Sequence, residues 1–527
     1  MRIRLLSYVT LVVAVMAVMG GCSSMRRDFV KSPSSALPPA SDTPSSRYVA
    51  SELTRHDGLS GFRLLTKSTN ALMSRVALID QASHSIDLQY FIFKNDATGR
   101  LIALHLLAAA DRGVRVRILL DDVHLADEDV MFNALDAHPS IQVRLFNPFR
   151  TRHPTMLSKL GQFALEGARL NRRMHNKSFI VDNAVAIIGG RNIGDDYFDA
   201  GSDTNFRDLD LVAIGPVVQE ASRSFDAYWN CDAAYPATAF RTRRDTHADL
   251  AVLRVKLVRD ARAFAQSDYA QEIADEFPHG ATGDRRGGWF WGPASFVADR
   301  PEKIEAPKDA PFLRIGPKLK AMMDAARVEV VVISPYFVPG DKGSRYLVNL
   351  AQQGVSVKVL TNSLASTDEP AAHSGYVHYR RRLLEGGVDL YELRPALGAA
   401  QPATARGTSS GVSLHAKAMI VDQSHVFIGS LNMDPRSKLL NTEMGLIVDS
   451  PELADAVKQF FDTAIQPGNA FHVVLRGTPG VHSQATHMQW LSEKNGVTVS
   501  DQTEPGATTK RRVEVLVLRV LPIEGLL

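Results

Sequence analysis

Met174-His175-Asn176-Lys177-Ser178-Phe179-Ile180-Val181-Asp182 and Leu414-His415-Ala416-Lys417-Ala418-Met419-Ile420-Val421-Asp422 share one pattern, H-x-K-x-x-x-x-D. Each runs into an apolar segment ending in glycine. Val185 to Gly189 precedes Gly190-Arg191-Asn192, and Val426 to Gly429 precedes Ser430-Leu431-Asn432. The spacing from histidine to glycine, and from histidine to asparagine, is the same in both copies. One such motif carries little weight. Two, in matching strand–turn–strand contexts, mark an internal duplication.

The repeat extends outward from the motifs. Ala71 to Gln81 has helical spacing, Ser85 to Ile92 alternates as a strand, Gly99 to Arg112 reads as a helix and Val114 to Leu120 as a strand closing on Asp121-Asp122. The same order recurs as Leu319 to Ala326, Val328 to Ile333, Gly343 to Gln353 and Gly354 to Leu360, with Tyr336-Phe337 matching Tyr90-Phe91. Downstream, Asp210 to Pro216 matches Gly445 to Pro451, and each leads into a helix, Val217 to Trp229 and Glu452 to Ala464. Strand–helix–strand units predict parallel pairs in an α/β sheet, so two α/β domains are expected over 61–235 and 306–466. Residues 236–305 are expected to form a helical insert or connector. It includes the aromatic cluster Trp289, Phe290, Trp291 and Phe296, read as packing or, alternatively, as a lipid-contacting patch. A C-terminal extension, 467–527, ends in the apolar stretch Val513 to Val520.

A chain of 527 residues with 45% hydrophobic and 22% charged side chains is ordinary globular material. A net charge of +3 is too small for its size to bind nucleic acid by bulk electrostatics, and no nucleic acid is expected. Two cysteines exclude a disulfide scaffold. The basic start Met1-Arg2-Ile3-Arg4, the apolar run Leu5 to Gly21 and Cys22 form a bacterial lipoprotein signal over 1–22. Acylation of Cys22 predicts a lipid-anchored, periplasm-facing envelope protein on a membrane surface, and Ser23 leaves outer-membrane sorting open. The alternative is an uncleaved membrane helix. The Ser/Pro/Ala-rich segment 23–60 is expected to be a flexible tether, and Cys231 a buried free thiol.

Residues at even offsets share a strand face, so His175 points with Lys177 and His415 with Lys417. A phosphodiester is an anion with a poor alkoxide leaving group. Breaking it needs a nucleophile, charge neutralisation and a proton donor. Two imidazoles and two ammonium groups, brought together, supply all three, and neither metal nor cofactor is called for. Asn192 and Asn432 are candidate donors to the phosphate oxygens. Asp182 and Asp422 lie at odd offsets and read as turn residues. Asp208 and Glu443 occupy equivalent repeat positions and are the expected partners of the ring nitrogens that face away from phosphorus. Arg191 reads equally as a phosphate ligand or a turn cap. His373, Tyr376, His378, Tyr379 and Arg380-Arg381-Arg382 read as a headgroup site or as a helix with a solvated basic face.

On these two motifs the chain resembles the phospholipase D superfamily, and over roughly residues 60 to 527 it looks closest to the bacterial cardiolipin synthase branch. The resemblance implies two pseudo-symmetric phospholipase D-like α/β/α domains packed face to face around one shared active site. It implies a covalent phosphohistidine, with His175 as nucleophile and His415 as acid/base, and carboxylates at 208 and 443 that orient the rings. The expected activity is a phosphatidyltransferase that makes cardiolipin from phospholipids, with phosphatidylglycerol as acceptor and phosphatidylethanolamine as a further candidate donor. The alternatives are a phospholipase D releasing phosphatidic acid, a nuclease, and a non-catalytic envelope lipid-binding protein.

Overall fold

Both motifs run into β-hairpins. Ser178–Val181 pairs antiparallel with Val185–Gly189, and Ala418–Val421 with His425–Gly429. Nearly every residue in these runs is buried, as β-branched segments covered on both faces must be. Each hairpin closes through two residues of positive φ, Asp182 (51°) with Asn183 (49°) and Asp422 (50°) with Gln423 (54°). The two aspartates also tie each hairpin to the start of the neighbouring strand. The Asp182 carboxylate accepts the N–H groups of Ser83 (3.0 Å), His84 (2.7 Å) and Ser85 (2.9 Å). Asp422 accepts those of Arg327 (2.8 Å), Val328 (2.8 Å) and Glu329 (3.0 Å). Burial pushes the Asp422 carboxyl up, and the three N–H groups outweigh it and hold the pKa below the usual range.

The computed structural model describes residues 29–39, 41–123, 129–149, 166–201, 203–240, 247–276, 288–307, 310–395, 411–477, 486–521 and 525. The expected leader with Cys22 lies outside them. Two large sheets dominate. The first runs Phe290–Gly292, Ser60–Leu65, Asp210–Ile214, Val185–Gly189, Ser178–Val181, Ser85–Tyr90, Arg115–Asp121, Ile141–Phe146, Ala234–Pro236 from edge to edge. The second runs Ala294–Ala298, Met444–Asp449, His425–Gly429, Ala418–Val421, Glu329–Ile333, Ser356–Asn362, Asp389–Leu393, then Ala470–Gly477, Thr486–Lys494 and Val497–Asp501. In each, three neighbouring strands are parallel and the rest antiparallel. The crossover helices Ala97–Asp111 and Gly340–Gln352 end before Gly113 (φ 91°) and Gly354 (φ 92°). Glycine there lets the chain leave the helix through the left-handed region and go straight into the next strand.

The two α/β halves pack face to face over a shared core. Ile180, Ile188 and Leu211 of the first sheet meet Ile333, Ala418, Ile420 and Ile428 of the second, together with Trp229 and Phe461 from the helices Pro216–Asn230 and Pro451–Ala464. Separate outer cores lie behind each sheet.

Three expectations change. The connector is helical over His247–Phe264 and Asp268–Glu276, but its aromatic segment is strand. Phe290–Gly292 pairs with Ser60–Leu65 at the edge of one sheet, and Ala294–Ala298 pairs with Met444–Asp449 at the edge of the other. Its aromatics are packing: Trp291 stacks on His56 at 3.8 Å, the Arg63 guanidinium lies 4.6 Å from the Trp289 ring, and Phe296 joins the shared core. The segment expected as a tether is, in its described part, built into the fold. Arg144, Arg117 and Arg115 donate to the carbonyls of Ser32 (2.5 Å), Ser34 (3.0 Å) and Ser35 (2.9 Å), and Pro44–Arg55 is a helix capped by Thr43. Arginines gripping main-chain carbonyls hold a segment that has few apolar side chains of its own. Cys231 is free but only partly buried, and burial pushes its thiol up to about 11.

Removing either hairpin aspartate withdraws a charged acceptor from three N–H groups. Asp182→Ala and Asp422→Ala are each expected to cost about 2–3 kcal/mol, read as a lower melting temperature in calorimetry, with turnover per folded molecule little changed.

Candidate active site

Just upstream of each motif lysine the chain crosses to the other half. Met174 bridges Thr442 in parallel register, the His175 N–H donates to the Thr442 carbonyl (2.9 Å), and the Thr442 N–H to that of Arg173 (2.9 Å). Gly411–Leu414 pairs parallel with Thr204–Arg207, and the N–H groups of His415 (2.7 Å) and Ala416 (2.9 Å) both donate to the Arg207 carbonyl. Each histidine therefore lies against the segment of the opposite half that carries a carboxylate. His175 Nδ1 meets Glu443 Oε2 at 2.8 Å, and His415 Nδ1 meets Asp208 Oδ2 at 2.5 Å. All four side chains are buried.

With Nδ1–H given to a carboxylate, Nε2 of each ring carries the lone pair. Phe91 packs edge-on to His175 (5.0 Å), and Tyr197 (5.2 Å) and Phe206 (5.0 Å) pack on His415. Lys177 Nζ donates to the His175 carbonyl at 2.6 Å, and Lys417 Nζ to the His415 carbonyl at 2.5 Å. Burial and the neighbouring Lys417 push the Lys177 ammonium well below its ordinary pKa, and burial draws Lys417 down to about 8. Burial followed by the two lysine charges holds both imidazoles well below the ordinary histidine value. Burial raises Asp208 and pushes Glu443 up to about 7. The cluster thus keeps its histidines neutral and its lysines short of counter-charge. An arriving anion relieves the lysines and raises the proton affinity of the histidines.

The two halves differ behind the rings. Ser430 Oγ donates to Glu443 Oε2 at 2.5 Å, the same oxygen that holds His175. Its counterpart is Gly190, where a Cβ would stand 2.1 Å from Asp208 Oδ1. Asp208 therefore keeps Oδ2 for His415 alone and spends Oδ1 on the Leu209 N–H (2.8 Å).

Of the remaining candidates, Asn192 Oδ1 accepts the Ile92 N–H (3.2 Å) and its side chain reaches Tyr197, while Asn432 Oδ1 is buried without a hydrogen-bond partner. Asp182 and Asp422 sit in the hairpin turns, away from the rings they were grouped with by motif. Arg191 is held by Asp210 (3.3 Å) and by the carbonyls of Leu65 (2.9 Å), Thr66 (3.1 Å) and Asp208 (2.8 Å), which leaves it a structural residue. The 373–382 cluster splits: His378, Arg381 and Arg382 are exposed on the helix Pro370–Glu385, as the solvated-face reading expects, whereas His373, Tyr376, Tyr379 and Arg380 are buried. Arg380 bridges Glu392 (3.1 Å) and Glu504 (2.7 Å), His373 meets Glu504 (2.8 Å), and Tyr376 donates to Glu392 (3.2 Å). These side chains fasten the C-terminal extension. Sequence reading missed Asp299, pushed up to about 6 by burial, whose carboxylate accepts the Glu443 N–H (2.9 Å) and pairs with Lys303 (2.7 Å). It lies in the connector, where no repeat partner flags it. Asp121, accepting the Met174 N–H (2.8 Å), was visible only as the end of a strand. The Ser430/Gly190 difference was in plain view in the sequence.

Comparison with known proteins gives a consistent result. The family model "Cardiolipin synthase, PLD-like domain" matches residues 76–229 and 319–465. Cardiolipin synthase C of Escherichia coli (strain K12) is 38% identical over 484 residues, covering 90% of this chain and 97% of that protein. An uncharacterized protein of Helicobacter pylori (strain ATCC 700392 / 26695) is 33% identical, covering 93% of this chain and 95% of its own. Among solved structures, phosphatidylserine synthase from Haemophilus influenzae Rd KW20 has the same fold, with a TM-score of 0.55 at 14% identity over 91% of this chain and 99% of that one.

The electrostatics predict the pH profile. Lys417 is charged below about 8 and loses its proton above it, so kcat/KM toward an anionic phosphodiester falls as pH rises past about 8. The imidazoles are depressed and stay neutral below their ordinary pKa, so the acid limb is set by Glu443, whose charge is lost as pH falls through about 7. A kcat/KM titration checks both limbs.

Proposed function

The chain belongs to the PLD-like cardiolipin synthase family, and on that premise we propose that it moves a phosphatidyl group from one phospholipid to another through a phosphohistidine, forming cardiolipin. The observation that carries the reading is the pair of buried imidazoles, each backed by a carboxylate of the opposite half, with two buried lysines beside them. One ring can hold phosphorus while the other handles protons.

In the first step His175 Nε2 attacks the phosphorus of the donor lipid and the bond to the headgroup oxygen breaks. His415, protonated once the anionic substrate is bound, gives its proton to the departing alcohol. Glu443 stabilises the positive charge that develops on His175. In the second step His415 Nε2 takes the proton of a phosphatidylglycerol hydroxyl, that oxygen attacks phosphorus, and the P–N bond breaks. Lys177 and Lys417 neutralise the non-bridging oxygens, with Asn192 and Asn432 as further donors to them.

The asymmetry behind the rings supports this division of labour. A carboxylate oxygen shared with Ser430 is a weaker acceptor, which makes His175 less basic and a better group for phosphorus to leave. His415 has an oxygen to itself and is the stronger base. Ser430→Ala is expected to raise the His175 proton affinity and move the acid limb of kcat/KM to higher pH, with the alkaline limb unmoved.

Among the described residues no helix is long and apolar enough to cross a membrane. Acylation at Cys22 is the proposed anchor, facing the periplasm. Acyl labelling of the full chain that is lost in Cys22→Ser checks it.

The decisive experiment supplies phosphatidylglycerol, with and without phosphatidylethanolamine, in mixed micelles, and analyses products. Cardiolipin is the expected product, lost by about 10⁴-fold in His175→Ala. Phosphatidic acid alone makes the chain a hydrolase, and label trapped on His415 rather than His175 reverses the two roles.

A further inference from the structure

The last described helix, Thr509–Leu518, packs against Pro370–Glu385 through Val515, which is 5% exposed. Leu518 is half-buried, and the other apolar side chains of the helix and of the two positions after its cap face outward. Val513, Leu516, Val517, Val520 and Leu521 are 55%, 62%, 53%, 80% and 47% exposed. Their spacing puts them on one stripe of a helix, which a soluble surface ordinarily fills with polar residues. Lys510 and Arg519 are exposed at its two ends, and four basic residues stand against the single acid Glu514 over 509–521.

The helix is fixed to the rim of the candidate active site. The Arg511 guanidinium donates to the carbonyls of Leu364 (2.9 Å), Ala365 (3.0 Å) and Thr367 (2.9 Å), and Arg512 to that of Glu504 (2.6 Å). Leu364 to Thr367 follow the strand Ser356–Asn362 at the carboxyl end of the parallel strands, the edge where α/β sheets carry their sites. The next residue, Asp368, accepts the Tyr336 hydroxyl (2.7 Å) and lies within the field of Lys417. The helix is therefore tied to a loop whose next residue feels the charge of Lys417.

We infer that this stripe is a membrane-docking face. It sinks into the boundary between headgroups and acyl chains of an anionic bilayer and holds the mouth of the site against the lipid. The inference rests on the lipid reading of the site. Aliphatic side chains flanked by lysine and arginine match an interfacial helix on anionic lipid. Three side chains of a ten-residue helix and two just beyond its end offer much less than the ~800 Å² per partner that a stable protein interface needs.

Two variants of the full chain, reconstituted with phosphatidylglycerol vesicles, test it. In Val517→Trp, lipid brominated on its acyl chains is expected to quench the added emission beyond the background of Trp229, Trp289, Trp291 and Trp490. In Leu516→Glu/Val517→Glu, turnover of vesicle phosphatidylglycerol is expected to fall at least about tenfold, with turnover of monomeric short-chain phosphatidylglycerol and the melting temperature unchanged. Unquenched emission overturns the inference. So does equal loss on both substrates, and so does conversion of a dimer to a monomer by the double variant, which assigns the face to a second copy. A wild type that turns over neither lipid while Val517→Trp is still quenched removes the enzymatic premise and leaves the docking face standing.

Discussion

Two exchanged hydrogen bonds organise this molecule: His175 to Glu443 and His415 to Asp208. Each joins an imidazole of one half to a carboxylate of the other, and each is backed by main-chain pairing across the same boundary. A half on its own would leave a carboxylate and an imidazole without these partners, on an inner face open to water. The shared core forms in the same step, because the inner faces of both sheets are what it consists of. Assembly of the site and assembly of the fold are one event. This gives a physical reason for carrying both copies in one chain, where the partner is always present.

Burying two lysines beside two histidines is unfavourable in the absence of an anion. Their depressed pKa values record that cost. A phosphodiester relieves it on arrival, and the lysines are already in place when charge builds on the phosphoryl oxygens. The site therefore carries little reorganisation penalty at the moment of reaction. The same low dielectric that depresses the lysines strengthens the His–carboxylate contacts, so the groups that suffer and the groups that gain sit side by side.

Much of this was legible in the sequence because the chain says the same thing twice. Matching strands and crossover helices identified both halves, and the spacing grouped His175 with Lys177 and His415 with Lys417, although all four precede the strands Ser178–Val181 and Ala418–Val421 instead of lying on them as the offset argument expected. The pairing of rings with acids was not legible. Spacing places Asp208 and Glu443 in the repeat but does not say which half each serves. The aromatic connector misled because pairing with two different sheets, not its own pattern, makes it strand. The Ser/Pro/Ala segment 23–60 looked free because arginines distant in sequence hold its described part. In the 373–382 cluster the exposure of Arg381 and Arg382 was legible, but the burial of Arg380 was not, because Glu392 and Glu504, its neutralising partners, lie on other elements.

Duplication supplies two equal half-sites, and phosphoryl transfer needs two unequal ones. A nucleophile should be neutral and a good leaving group, whereas a proton shuttle should be the stronger base. Lysines and histidines repeat without change, so the difference has to come from behind the rings. It does, at Gly190 opposite Ser430 and at Asp208 opposite Glu443. A short acid against glycine leaves its imidazole an undivided oxygen, and a longer acid sharing its oxygen with a hydroxyl does not. The second departure from symmetry is the C-terminal extension, which adds strands and a helix to the second sheet alone. A bilayer meets an enzyme from one side only. A twofold site flanked by identical halves offers a bilayer no preferred side, whereas the apolar helix Thr509–Leu518 marks one half alone.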